Sequence, residues 1–180
     1  MDYEVTYSKR RSVTVKVKDC RILVLAPIGF SGAEIDKLLI KHRAWINKRL
    51  NEQKIKSTVF DSLTEEDIKK IKKSARAYLT ERTEYYAGIM SAEYSKIRIT
   101  GAKTRFGSCT SCGNISYSYR LMLYPEAARE YVVVHELAHT FEMNHSKKFY
   151  AIIEKVLPDY KQRKKLLQAP VGINTQAYEK

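Results

Sequence analysis

Hydrophobic and polar positions divide the chain into stretches of different period. From Tyr3 to Pro27, β-forming residues alternate imperfectly with polar ones, as in SVTVKVKD and RILVLAP, with Asp19-Cys20 between them. The pattern predicts two or three strands of a meander. Beyond Ser31 the period lengthens: Ile35, Leu38, Leu39, His42, Trp45, Ile46 and Leu50 recur at three- and four-residue steps through GAEIDKLLIKHRAWINKRLNEQKI. That is the apolar face of a helix, with Trp45 expected in the core and His42 at the surface or satisfied inside it.

Residues 56–63 carry no strong period and read as a connection. Thr64-Glu65-Glu66-Asp67 then has the chemistry of a capped, acidic first turn, and the helix it opens is expected to run to about Ser91, with KKIKK on its exposed face. Lys96 to Thr100, KIRIT, alternates as a strand. GNISYSYRLML alternates again, with Ile115, Tyr117, Tyr119 and Leu121 on one side and Ser116, Ser118, Arg120 and Met122 on the other. Two strands therefore flank TRFGSCTSC. Pro125 can open a further helix at its first turn, and EAAREYVVVHELAHTFEM continues it without a breaker. The closing residues, 169–180, read as a tail.

A length of 180 residues allows one well-buried core, with room for a small subdomain, so one domain is expected. The longest apolar run, ILVLAPIGF, is far too short to span a bilayer, and MDYEVTYSKRR lacks the basic-then-apolar order of a secretory signal. No membrane association and a cytoplasmic location are the expectations. Three cysteines, Cys20, Cys109 and Cys112, are too few for a disulfide framework there, and the single C-x-x-C spacing of Cys109 and Cys112 reads as a structural loop. The formal charge of +13 would concentrate anionic partners, nucleic acid or nucleotides among them. Its distribution weakens that reading, because the excess is +7 in residues 1–60, +1 in 61–100 and +5 in 101–180, as solvated basic faces would give.

Candidate chemistry is concentrated in YVVVHELAHTFEMNHSKKFY, which holds His135, His139 and His145, three of the chain's four histidines. Residues four apart share a helix face, so His135 and His139 can point at one ion, while Glu136, about 100° around, reaches a water on that ion instead of the ion itself. A third ligand is needed, and His145 is the first choice. On a straight helix it would lie about 9 Å along the axis from His139, too far to share the ion, so the helix must end between them. Asn144 tolerates the left-handed conformation of helix ends, and Ser146 is a good cap for a following helix, KKFYAIIEKVL. The spacing equals that of metzincins, but Glu142 stands where those have their turning glycine. Glu154, on the following helix, is the alternative third ligand. Imidazole ligands with an open fourth position suit zinc, while iron, nickel and cobalt remain compatible with the residue types.

These residues resemble the YgjP-like metallopeptidases, a bacterial and archaeal zincin group. The resemblance rests on Arg105-Phe106-Gly107-Ser108-Cys109, Gly113-Asn114-Ile115, the helix from His135 to His139, Asn144-His145-Ser146 with Phe149, and Pro158-Asp159-Tyr160-Lys161. Phe106 stands where tryptophan is commoner. The resemblance implies Zn²⁺ held by His135, His139 and His145, with Glu136 as general base, in a mixed α+β zincin-like fold with the active-site helix beside a small sheet. One domain over 1–168 would comprise a β-rich element (1–30), two helices (31–92) and the zinc-binding core (93–168). A peptide or protein substrate would lie as an added strand on a sheet edge, for which Ile115 to Leu121 is the candidate, with Ile115, Tyr117 and Tyr119 as substrate contacts. Arg105 would either contact an anionic or carboxylate group of the substrate or pair with an acidic side chain. Hydrolysis of a non-peptide substrate such as a nucleotide phosphoanhydride, or of proteins bound to nucleic acid, are the rival readings.

Overall fold

A computed structural model of the chain describes residues 2–168, so the tail expected at 169–180 lies outside them. The chain divides into two compact units, Met1–Ser62 and Leu63–Lys180. Where one domain is expected over 1–168, each unit has its own apolar core, and the division falls inside the stretch 31–92.

The first unit has three strands, β1 (Tyr3–Ser8), β2 (Thr14–Lys18) and β3 (Arg21–Pro27), and two helices, α1 (Gly32–Lys41) and α2 (Arg43–Asp61). The sheet is not the expected meander. β3 lies in the middle, parallel to β1 and antiparallel to β2. The β2–β3 hairpin turns through Asp19 and Cys20 at φ 51° and 59°, the paired left-handed residues that match a two-residue turn to strand twist. β3 buries alternate side chains, Ile22, Val24 and Ala26, which cluster with Ile35, Leu39 and Ile46. Gln53 ties α2 to the hairpin: its amide donates to the Val17 carbonyl at 2.8 Å and its side-chain oxygen accepts from the Cys20 N–H at 2.9 Å.

Two differences from the expected single helix stand out here. The helix breaks at His42, which ends α1 and caps α2, and α2 continues through the expected connection as far as Asp61, with Val59 buried in its last turns. Trp45 is 43% exposed while Ile46 is fully buried. Within α2, at 100° per residue, Leu50 falls about 40° from the direction of Ile46, but Trp45 falls about 100° off it, so the stripe is narrower than a three-or-four spacing suggests.

The second unit opens with α3 (Glu65–Met90), capped as its sequence predicts: the Thr64 hydroxyl accepts from the Asp67 N–H at 3.1 Å, and the Asp67 carboxylate accepts from the Thr64 N–H at 3.0 Å. A second sheet follows, β4 (Lys96–Thr100), β5 (Gly107–Cys109) and β6 (Asn114–Ser118), ordered β4-β6-β5, with β6 parallel to β4 and antiparallel to β5. The expected strand to Leu121 stops at Ser118 because its hydroxyl accepts from the Arg120 N–H and donates to the Ala102 carbonyl, starting a 3₁₀ turn over Tyr119–Leu123. α4 (Glu126–Ala138), α5 (Lys147–Val156) and α6 (Tyr160–Leu166) complete the unit. α4 is held on either side by a shared acid: Glu130 accepts from Arg82 of α3 and, at 2.6 Å, from Arg163 of α6. Burial pushes the Glu130 carboxyl up, but the hydrogen bonds from Arg163 and Arg82 outweigh it and hold the group below the usual carboxylate range. The architecture is mixed α+β with small mixed sheets. Among the described residues, no helix is long and apolar enough to cross a membrane.

Candidate metal centre

The apolar run Tyr131 to Val134 sinks α4 into the second unit and carries His135 and Glu136 with it. The helix ends at Ala138, a turn and a half before Asn144, and His139 is its cap residue. The expected break thus exists but lies earlier, and Asn144 does not take the left-handed conformation. The chain unwinds through shorter-range bonds instead: Thr140 N–H donates to the Leu137 carbonyl at 3.0 Å, and Phe141 N–H to that of Ala138 at 3.1 Å. Ser146 then caps α5, its hydroxyl accepting from the Phe149 N–H at 3.3 Å.

This turn returns His145 to the other two. Nitrogen atoms of His135, His139 and His145 all lie within 4.8 Å of one another, and Nε2 of His145 is 3.2 Å from Nε2 of His135. Two nitrogens bound tetrahedrally to one zinc ion are about 3.4 Å apart, so the spacing fits. The Nδ1–H of His139 donates to the Glu142 carbonyl at 3.1 Å, which fixes the tautomer that leaves Nε2 with its lone pair. His135 Nδ1 is 3.4 Å from the Tyr131 hydroxyl. Phe149, wholly buried, lies beneath all three imidazoles at 4.9, 4.5 and 4.8 Å between ring centres. Burial, reinforced by His139 and His145, brings His135 down to about 3, and burial lowers His139 too. Both therefore stay neutral, the form that binds a metal. Glu154, the alternative ligand, is exposed on α5 and outside the cluster.

Glu136 is 5% exposed, and its Oε2 has no hydrogen-bond partner among the described residues. A buried carboxylate oxygen left unpaired is costly unless the site supplies a cation or a water. Burial raises Glu136 to about 8, against the opposing charge of Arg105. Its carboxylate lies against Gly107, where a Cβ would come within 2.7 Å of both Cγ and Cδ, so only glycine leaves room. Next to it opens a cleft of about 400 Å³ whose walls include Phe106, Gly107, Val132, His135, Glu136 and His145.

The proposed substrate contacts fare differently. Ile115, Tyr117 and Tyr119 face inward, Tyr117 bonding Thr83 at 3.0 Å, and β6 is paired on both edges, so it cannot receive an added strand. The reason is β5, a three-residue strand inside TRFGSCTSC that takes the edge expected of β6. Arg105 is exposed beside it, with no hydrogen bond or ion pair among the described residues. Sequence reasoning missed Gly107, Tyr131 and the seat formed by Phe149. Tyr131 is legible afterwards as a residue one helical turn before His135 on the same face.

A converging histidine triad beside a buried glutamate is the equipment of a metal-dependent peptidase. The chain belongs to the YgjP-like family, whose metallopeptidase-domain model matches residues 61–169, beginning two residues before the second unit. Among solved structures, the metallopeptidase zymogen abylysin of Pyrococcus abyssi is similar at 23% identity, covering 49% of this chain and 90% of that one, with a TM-score of 0.46. No curated protein matches.

Proposed function

We propose that this peptidase works with zinc, held by His135, His139 and His145, and that Glu136 is its general base. The observation carrying the proposal is the pairing of converging imidazole nitrogens with the unpartnered, buried Oε2 of Glu136. Zinc, when bound, supplies a Lewis acid that lowers the pKa of a water to about 7 and polarises the scissile carbonyl. Glu136 accepts the proton of the attacking water and returns it to the leaving amine. Gly107 leaves the carboxylate space to do so, and Phe149 keeps the three imidazoles in register. The outer edge of β5, next to α4, accepts an extended peptide as an added strand, and Arg105, exposed beside it, contacts the carbonyl groups of that peptide.

The test separates holding the metal from using it. Glu136→Gln should retain one zinc per chain by elemental analysis and lose peptide hydrolysis by at least about a thousandfold, the upper range for a general base. His145→Ala should lose the metal, whereas Glu154→Ala keeps it. A metal-loaded Gln variant that still cleaves, or retention of metal without His145, would overturn the assignment.

A further inference from the structure

One wall of the cleft carries a cation that neither the fold nor the peptidase chemistry employs. Lys164 of α6 lines it. Its ammonium sits 5.5 Å from the centre of the Tyr150 ring and makes no hydrogen bond or ion pair among the described residues. The preceding residue, Arg163, is fully engaged by Glu130 and Asp159. That engagement fastens α6 to α4 and so fixes the direction of the next side chain. Tyr131, Val132, Tyr150 and Leu167 make the surrounding wall largely apolar, and the one carboxylate in the lining is Glu136. Lys164 is itself solvent-exposed, but its ammonium lies against aromatic and aliphatic surface, whose low dielectric focuses its field toward an anionic group in the cleft.

We infer that the site prefers peptides bearing a carboxylate close to the bond to be cut, from an acidic side chain or from the peptide's own C-terminus, and that Lys164 determines the preference. The inference rests on the peptidase reading and names its substrate class. Lys164 contacts substrate only; it takes no part in the chemistry.

The experiment uses paired fluorogenic peptides with Glu or Gln at each position flanking the scissile bond, each made with a free and an amidated C-terminus. In the zinc-loaded wild-type chain, kcat/KM should favour the carboxylate-bearing member by about fivefold, the upper range for a solvent-accessible ion pair. Lys164→Gln should bring that ratio to near one, and Lys164→Glu should invert it in favour of peptides with Lys at the same position. A preference lost on amidation assigns the carboxylate to the C-terminus, and one that survives assigns it to a side chain. The same pairs, bound to the Glu136→Gln variant and read by fluorescence anisotropy, should show the same ranking without turnover. Equal kcat/KM in the wild type, or a preference unmoved in Lys164→Glu, overturns the inference and leaves the peptidase reading intact. Ranked binding without any cleavage by the wild type does the reverse.

Discussion

In the unit Met1–Ser62 the buried side chains among the described residues are Ile22, Val24, Ala26, Ile35, Leu39, Ile46 and Val59, all apolar. The unit from Leu63 onward buries a larger apolar set, and with it Thr83, Ser118, Glu136 and His139. A core that serves only folding has no use for buried acids and imidazoles, since each costs desolvation that apolar packing avoids. Thr83 and Ser118 are satisfied by hydrogen bonds inside the fold, and His139 by the Glu142 carbonyl, but Oε2 of Glu136 is not. Among these buried polar residues Glu136 alone keeps an unpartnered carboxylate oxygen, and it sits where the chemistry would be. The Nε atoms of Arg10 in the first unit and Arg82 in the second are also buried without a partner among the described residues, but each of those guanidinium groups is bonded through its terminal nitrogen. The Arg82–Glu130–Arg163 set shows the other outcome, a partly buried acid whose two oxygens are both answered.

Matched substitutions in the two units sharpen the contrast. Phe149→Ala and Ile46→Ala each remove a fully buried side chain, and each should cost about 2–5 kcal/mol in chemical denaturation. Only Phe149→Ala should also weaken metal binding, by about 10–100-fold in a competition titration, because its ring seats all three imidazoles. Equal metal affinity in the two variants would reduce Phe149 to ordinary packing.

Glycine gives a second matched pair. Gly107→Ala drives a methyl group into the Glu136 carboxylate, whereas at Gly32, in the first turn of α1, a Cβ meets nothing within 4 Å. Gly107→Ala should lower kcat by about a hundredfold, as misplacing a catalytic group does. Gly32→Ala should leave kcat unchanged and raise stability by about 0.4–1 kcal/mol. Unchanged kcat in Gly107→Ala would show that Glu136 can work from another position.

The last comparison is of pH dependence, read on metal-free protein. Glu136 titrates at about 8 in the folded chain, against a usual 4.5. A raised carboxyl contributes stability that is fully present below about pH 4.5 and is lost as pH rises through 8. The stability of Glu136→Gln relative to wild type should therefore grow between those limits, by up to about 1.4 kcal/mol per pH unit, and stay flat in acid. A difference that does not change with pH would mean that Glu136 is solvated in the metal-free chain. Nothing comparable is expected in the first unit, where no titratable side chain is buried among the described residues.

What could be read from the residues was local. The i, i+4 spacing of His135 and His139 and the cap at Thr64 follow from helix geometry, and the arithmetic of helical rise demands a break before His145 whatever its mechanism. The location of that break was not legible, because it depends on 3₁₀-type bonds of Leu137 and Ala138 and not on the left-handed residue that Asn144 suggested. Pairing between distant segments was illegible for a different reason. Three residues, Gly107 to Cys109, are too few to show a period, and nothing in the alternation of Tyr3 to Ser8 says that its partner is β3. With β5 unseen, β6 was given an edge it does not possess. Trp45 shows the remaining weakness, a spacing rule whose stripe was drawn too wide.

That misplaced tryptophan has an optical consequence. Trp45 is the only tryptophan in the chain and belongs to the first unit, while Tyr131, Tyr150 and Tyr160 stack against one another in the second. Emission excited near the red edge of protein absorption therefore comes from one unit alone, and near-ultraviolet dichroism of the stacked tyrosines reports the other. A single melting experiment recorded on both channels distinguishes a chain that unfolds as one cooperative body from one that comes apart in two stages, with no label added.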